Sequence, residues 1–205
     1  MQPRNTIVSI SKGNSKMGAI MSVSLPAWKT CPNFAPCKKG CYAAKIERLR
    51  PNVRNSYARN LEILMLDPES YWRQVEAAIM TSRYFRFHVA GDIPRYDYLV
   101  KMCEVAARNS HCEILCFTKR HDYVNQYIDN GGIIPANLHL LLSGWKGMEM
   151  VNPHNLPEAH VLFRDGTTTA REDAIPCGGN CTDCARTEGG CWALKKGQQI
   201  LLKEH

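Results

Sequence analysis

The sequence has no long apolar run. Near the N-terminus the mildly apolar stretch is only four residues long, Ile7 to Ile10, and includes Ser9. This is shorter than the roughly 7–15 apolar residues of a secretory signal. No stretch reaches the roughly 20 apolar residues of a membrane-spanning helix. We therefore expect a cytoplasmic protein without a membrane partner, in a compartment where thiols stay reduced.

Acidic residues are almost absent from the first 60 residues. This segment has eleven Lys and Arg side chains and one acid, Glu47, a net charge of +10, whereas residues 61–205 carry −3. Such a basic segment suits nucleic acid or another anionic partner, or compensates an anionic metal–thiolate cluster. The candidate nucleic-acid contacts, which interleave aromatic rings with cations, are Tyr42, Arg48, Arg50, Arg54 and Tyr57.

Cysteine, in contrast, is abundant, with ten residues in a chain of 205. Such a count has three common causes, which are a disulfide framework, zinc and iron–sulfur clusters. A chain of this length forms a core without cross-links. Because thiols stay reduced in the expected compartment, disulfides are the least favoured cause.

Seven of the cysteines form two groups. The cysteine triplet consists of Cys31, Cys37 and Cys41. The cysteine quartet consists of Cys177, Cys181, Cys184 and Cys191. Close spacing with intervening glycine and proline allows several sulfurs to reach one metal centre. We predict that all seven are metal ligands.

The spacing also bears on the metal. Structural zinc usually shows two short Cys-x-x-Cys-like pairs about a dozen residues apart, whereas this chain has a separate triplet and an irregular quartet. This pattern favours a 4Fe–4S cluster, with zinc as the alternative. Three protein thiolates leave one iron of such a cluster open to a small-molecule ligand. The quartet completes a second cluster or donates a ligand to the first, so one or two clusters are expected.

The other three cysteines are predicted to pack in the core. Cys103 lies on the apolar face of a predicted helix, and Cys112 and Cys116 alternate with apolar residues in a predicted strand. His88 and His139 also lie in predicted strands, where histidines are usually satisfied core residues. His88 is the better functional candidate because Asp92 follows closely.

Strand and helix patterns alternate along the chain. Strands are predicted at 20–25, 84–89, 112–118, 137–143 and 160–163, and helices at 42–49, 53–66, 96–107 and 122–129. A further helix begins with Asp67 as N-cap and Pro68 at its first position. Alternating strands and helices predict parallel βα units, whose ligands gather at the carboxyl ends of the strands.

Charged residues occupy two of these strand ends. Asp92, after Gly91, suits binding an ammonium or hydroxyl group, and the alternative is that it caps the next helix with Pro94 at the helix start. Lys119 is the better candidate for holding an anionic group of the ligand, whereas a surface role suits Arg120.

Seven short segments also follow one another in a recognisable order. They are Gly13-Asn14-Ser15-Lys16, Ser24-Leu25-Pro26-Ala27, Thr30-Cys31-Pro32, Cys41-Tyr42-Ala43, Val89-Ala90-Gly91-Asp92, Phe117-Thr118-Lys119 and Cys184…Cys191-Trp192. Together these segments, which span most of the chain, resemble the phage "gene product 88" family. The resemblance implies a phage or prophage protein that acts in the host cell.

The layout more distantly resembles radical S-adenosylmethionine (radical SAM) enzymes. These have a cysteine triplet after the first strand of a partial α/β barrel and a Gly-Gly-Glu-like motif after the second. The cysteine triplet and Ala90-Gly91-Asp92 match these positions, although the x5/x3 spacing differs from the usual x3/x2. The resemblance implies that an open iron chelates S-adenosylmethionine, that Gly91 and Asp92 hold its amine, and that reduction releases a 5′-deoxyadenosyl radical. His88 and Lys119 are further candidate ligand-binding residues.

The expected fold is therefore α/β, a partial TIM-like barrel of parallel βα units. Residues 1–165 form this barrel domain, including the cysteine loop 31–41, and residues 166–205 form a Cys-rich metal-binding segment packed on it. The leading interpretation is a radical-SAM-like iron–sulfur protein, whether or not it is an enzyme. The alternative is a zinc- or cluster-stapled phage protein that binds nucleic acid through its basic N-terminal part without catalysis.

Overall fold

The computed structural model describes residues 6–204. The strands are β1 (Ile10–Ser11), β2 (Met21–Val23), β3 (Tyr84–Phe87), β4 (Glu113–Thr118), β5 (Leu138–Ser143), β6 (Glu158–Leu162), β7 (Ile175–Pro176) and β8 (Gln199–Lys203). The α-helices are α1 (Tyr42–Leu49), α2 (Pro51–Leu66), α3 (Pro68–Met80), α4 (Tyr96–Arg108), α5 (His121–Asp129) and α6 (Cys181–Arg186). Two short 3-10 helices span Pro36–Gly40 and Gly190–Trp192. No described helix is long and apolar enough to cross a membrane.

All eight described strands form one sheet, in the order β1-β2-β3-β4-β5-β6-β8-β7. β1 runs antiparallel to β2, and every other neighbouring pair is parallel. The α/β class and the parallel sheet are therefore confirmed. The TIM-like barrel is not found among the described residues, because the sheet is open, with the two-residue strands β1 and β7 at its edges.

Most element predictions match the structure within a few residues. The five predicted strands correspond to β2 through β6, and the five predicted helices to α1 through α5. The start of α3 is as predicted, because the Asp67 side chain accepts a hydrogen bond from the Ser70 amide at 2.9 Å. The strands β1, β7 and β8 were not predicted.

One face of the sheet carries helices α2 to α5. Alternate side chains along the strands, such as Phe85 and Phe87 of β3, pack there in the main core. Cys103, Cys112 and Cys116 belong to the same core and are at most 2% exposed, so their prediction as packing residues is confirmed.

The other face of the sheet is covered by the two ends of the described chain. Leu115 and Leu141 pack there against Met17 and Trp192. The Cys181 amide donates to the Lys16 carbonyl (3.0 Å), which joins the segment after β7 to the N-terminal loop. The division at residue 165 stays a prediction, although β8 pairs with β6 within the common sheet.

Candidate metal centres at one cavity

A cavity of about 210 Å³ lies on the face of the sheet that has no helices from α2 to α5. Residues that follow parallel strands line it, including Asp92 after β3, Lys119 after β4 and Trp145 after β5. Both cysteine groups contribute to its wall, through Cys31, Cys37, Cys41, Cys177, Cys181 and Cys191. Segments from opposite ends of the sequence thus meet at the carboxyl ends of the strands.

The cysteine triplet lies between β2 and α1. Cys37 is in the short helix Pro36–Gly40, and Cys41 caps α1, with its sulfur accepting from the Ala44 amide at 3.5 Å. Burial, together with the charges of Asp92, Cys37 and Cys41, raises the pKa of the Cys31 thiol to about 12. The three thiols therefore lie close enough to influence one another, and burial favours the protonated form of Cys31 and Cys37 unless a cation compensates the thiolate.

Hydrogen bonds join the segment before the triplet to the segment after β3. They run from the Leu25 amide to the Ala90 carbonyl (3.1 Å), from the Val89 amide to the Ser24 hydroxyl (3.1 Å), and from the Asp92 amide to the Thr30 hydroxyl (3.2 Å). The bonded residues belong to three of the segments that carry the family resemblance. Their joint role in the structure is to fix the cysteine loop at the cavity.

Gly91 makes this close approach possible. Its φ is +79°, and a Cβ there would lie 2.7 Å from the Leu25 carbonyl oxygen and 2.5 Å from the Thr30 hydroxyl. Gly91 also lines the cavity. Its predicted role in holding a ligand amine stays a prediction, and its structural role is to let two backbone segments touch.

Asp92 is buried and is hydrogen-bonded through both carboxylate oxygens. Oδ1 accepts from the Thr118 hydroxyl (2.5 Å) and the Ile93 amide (2.8 Å), and Oδ2 accepts from the Lys119 amide (2.9 Å). The alternative that Asp92 caps the next helix is wrong, because α4 begins at Tyr96 with Arg95 as its N-cap. Burial raises the pKa of the Asp92 carboxyl, against the effect of its hydrogen bonds. The carboxylate ties the ends of β3 and β4 together at the cavity wall.

His88 lines the cavity and is only 4% exposed. Its φ is +57°, a conformation that non-glycine residues adopt rarely. Nε2 lies 3.0 Å from the Tyr98 hydroxyl, whereas the buried Nδ1 has no hydrogen-bond partner among the described residues. Burial, and then the Arg86 charge, lowers the pKa of His88 to about 3, so the ring is neutral at pH 7.

His139, unlike His88, contacts a charged side chain and packs against an aromatic ring. Its Nε2 lies 2.6 Å from Glu113, and its ring packs edge-on against Trp192 at 5.8 Å. It does not line the cavity. The expectation of a satisfied histidine therefore agrees with its contacts.

The cysteine quartet is built around α6. Cys177 follows β7, Cys181 and Cys184 are in α6, and Cys191 is in the short helix Gly190–Trp192. Asn180 caps α6 by accepting from the Thr182 amide at 2.9 Å. Burial and the other quartet thiols raise the pKa of Cys191 to about 12, against the opposing effect of the Arg86 charge. These four thiols influence one another as the triplet thiols do.

Replacing Gly190 by alanine is expected to impair the quartet alone. Its φ is +57°, and a Cβ there would lie 2.8 Å from the Cys184 sulfur. We expect Gly190→Ala to retain metal at the quartet about tenfold less well or worse during dialysis against a chelator. In Gly166→Ala, the control, φ is +79° and no atom lies within 4 Å of the added Cβ. Equal metal retention in the two variants would contradict this role of Gly190.

The donor set fits a metal that prefers sulfur. Thiolates suit zinc and iron–sulfur clusters alike. Within residues 6–204, however, no three His, Cys, Asp or Glu side chains are placed to hold a single metal ion. A zinc ion needs its sulfurs about 2.3 Å from one point, whereas a 4Fe–4S cluster binds each thiolate at a different iron.

Sequence reasoning missed two cavity residues, Arg86 and Trp145. The sequence feature that could have identified Arg86 is its positive charge in the strand Tyr84–Phe87, whose other residues are aromatic. Trp145 gave no signal beyond its place after a strand. Arg120 forms an ion pair with Asp122 at 2.6 Å and does not line the cavity.

In the basic N-terminal part, the arginines proposed to contact nucleic acid are exposed, whereas the two tyrosines contact other residues of the protein. Arg48, Arg50 and Arg54 are exposed on and between α1 and α2. The Tyr42 hydroxyl donates to the Val89 carbonyl, and Tyr57 packs in a small cluster near the cavity. Both tyrosines thus make contacts within the protein, which the sequence alone did not indicate.

The comparisons with known proteins add one finding. A family model described as Gene product 88 matches residues 5–198, nearly the whole chain. No curated protein and no solved structure matches the chain.

Proposed function

The chain belongs to the Gene product 88 family, which is associated with bacteriophages, and we propose that it is an iron–sulfur protein. In this proposal the cysteine triplet binds a 4Fe–4S cluster whose fourth iron is open to a small molecule. The cysteine quartet holds a second metal centre. The observation that carries the proposal is that all three triplet thiols and three of the four quartet thiols line one cavity. The fourth, Cys184, interacts electrostatically with Cys191.

The number of thiols in the triplet supports an open coordination position. Cys31, Cys37 and Cys41 lie close enough to influence one another's charge. A cluster ligated by these three has one iron without a protein thiolate. Because all three also line the cavity, a ligand in the cavity has access to that iron.

The placement of the second motif supports S-adenosylmethionine as the ligand. The triplet follows β2, and Ala90-Gly91-Asp92 follows the neighbouring parallel strand β3. When bound, the cluster supplies a coordination site and an electron for reductive cleavage of the ligand. Asp92 and His88 of this chain then form a largely buried wall beside it.

Electron paramagnetic resonance of anaerobically purified, reduced protein tests this proposal. We expect the signal of a reduced 4Fe–4S cluster, and we expect S-adenosylmethionine to change it because the ligand binds the open iron. Formation of methionine and 5′-deoxyadenosine would support radical chemistry. A cluster signal that S-adenosylmethionine leaves unchanged would reject this ligand, and a colourless zinc protein would reject the cluster.

The exposed cations Arg48, Arg50 and Arg54 favour a second candidate function. In this alternative, zinc or a cluster only holds the loops, and the basic surface binds nucleic acid. Replacing the three arginines by glutamine is then expected to weaken DNA or RNA binding and to reduce its salt dependence. Undetectable binding of the unaltered protein at low salt would contradict this alternative.

A further inference from the structure

Arg86 is a cation within a strand that otherwise packs in the core. Its side chain lies opposite the helix-facing Phe85 and Phe87 and lines the cavity. The guanidinium carbon is 4.8 Å from the ring centroid of Phe117. Its Nε is buried without a hydrogen-bond partner, and Arg86 forms no ion pair with any residue of the described part. Because burying an unpaired charge is unfavourable, this position is suited to an anion that the chain itself does not provide.

Lys119 brings a second cation to the same cavity from the neighbouring strand. Its backbone amide is bonded to Asp92, which fixes the residue at the end of β4. Its Nζ is 5.5 Å from the ring centroid of Trp145, a contact that leaves the ammonium able to bind an anion. Within residues 6–204, Lys119 forms no ion pair either.

The acidic residues at the cavity are engaged elsewhere. Both oxygens of Asp92 accept hydrogen bonds from Thr118, Lys119 and Ile93. Glu204 accepts from the Arg164 amide at 2.8 Å. Neither carboxylate therefore pairs with the Arg86 or Lys119 side chain.

Arg86 also shares the cavity wall with both cysteine groups. Tyr42, which follows the triplet directly, and Cys191 of the quartet line the same cavity. His88, two residues along the chain, adds a buried Nδ1 without a partner. A ligand group bound at Arg86 is thus in the same cavity as cysteines of both groups.

We propose that Arg86 and Lys119 bind an oxyanionic group, a carboxylate or a phosphate, of the small molecule that occupies the cavity. The planar guanidinium matches two oxygens of such a group, and Lys119 adds a point charge. His88 Nδ1 forms a further hydrogen bond to the ligand. This inference rests on the proposed function for the assignment of the cavity as a ligand site, and it names the chemical class of the ligand.

Calorimetric titration of anaerobically purified protein with inorganic phosphate, pyrophosphate and glutarate tests this inference. We expect at least one probe to bind, and Arg86→Gln to weaken its binding about tenfold or more, as for loss of a charge-assisted hydrogen bond. Stronger binding of the phosphates or of glutarate identifies the oxyanion. The matched control is Arg83→Gln, which removes a charge just before β3 from a side chain that is 75% exposed. Arg86→Lys keeps the charge and is expected to bind the probe with intermediate affinity.

Metal analysis of the same samples separates this inference from the proposed function. Probe binding by a protein that contains zinc and no sulfide would support the oxyanion site and reject the proposed cluster. If no probe binds the unaltered protein, or if Arg86→Gln and Arg83→Gln bind the probe equally, the oxyanion site is rejected. A loss of iron in Arg86→Gln without any probe binding would show instead that the cation compensates the cluster charge.

Discussion

A Cys37→Ser variant is expected to lose the cluster of the triplet while the quartet keeps its metal. Cys37 is one of only three thiols at that site, so its loss leaves two ligands for a cluster that needs three. Its thiol lies near those of Cys31 and Cys41 at the cavity. Iron and acid-labile sulfide per chain measure the result, and the iron remaining is that of the quartet.

Two further variants make this measurement specific. Cys181→Ser is expected to give the reciprocal result, with loss of the quartet metal and retention of the triplet cluster. Cys103→Ala removes a thiol from the helix-covered core and is expected to keep both centres. Full iron content in Cys37→Ser would show that the first site is assigned to the wrong residues.

Gly91→Ala is expected to lower the free energy of unfolding by about 3 kcal/mol, a loss reached only by severe local disruptions. The added Cβ meets the Leu25 carbonyl oxygen at 2.7 Å, and this backbone atom cannot rotate away. The Leu25 amide is itself bonded to the Ala90 carbonyl. Relief therefore requires separating the cysteine loop from the end of β3, so the triplet is expected to lose metal as well.

Urea unfolding of Gly91→Ala beside Gly131→Ala checks this expectation. Gly131 has nearly the same φ, +83°, but no atom lies within 4 Å of an added Cβ. Gly131→Ala thus has the backbone strain without the steric clash, and we expect it to lower the free energy of unfolding by about 1 kcal/mol. Equal losses in the two variants would contradict the close approach at Gly91.

The element boundaries were predictable because they depend on local sequence. Asp67 and Pro68 give a helix start that the hydrogen bond to Ser70 confirms. The strand order was not predictable, because β8 lies between β6 and β7 and pairs with both. Periodicity identifies a strand but not its neighbours, and β1 and β7 have only two residues each. For the same reason, the sequence did not reveal that the sheet is open.

The membership of each cysteine group was visible in its spacing, but the common cavity was not. The cavity forms because the segment after β7 folds back over the sheet, where the Cys181 amide binds the Lys16 carbonyl. No local pattern encodes such a contact. Asp92 lies at the end of a strand as predicted, whereas the alternative that it caps a helix failed because α4 begins later. Arg86 was not predicted, because the aromatic residues around it identify a core strand and give no indication that its opposite face lines a cavity.

The iron, zinc and acid-labile sulfide content of the anaerobically purified protein decides whether the chain holds an iron–sulfur cluster. We expect iron and sulfide in equal amounts, about four of each per chain for one 4Fe–4S cluster or about eight for two. A colourless protein with stoichiometric zinc and no sulfide would contradict it.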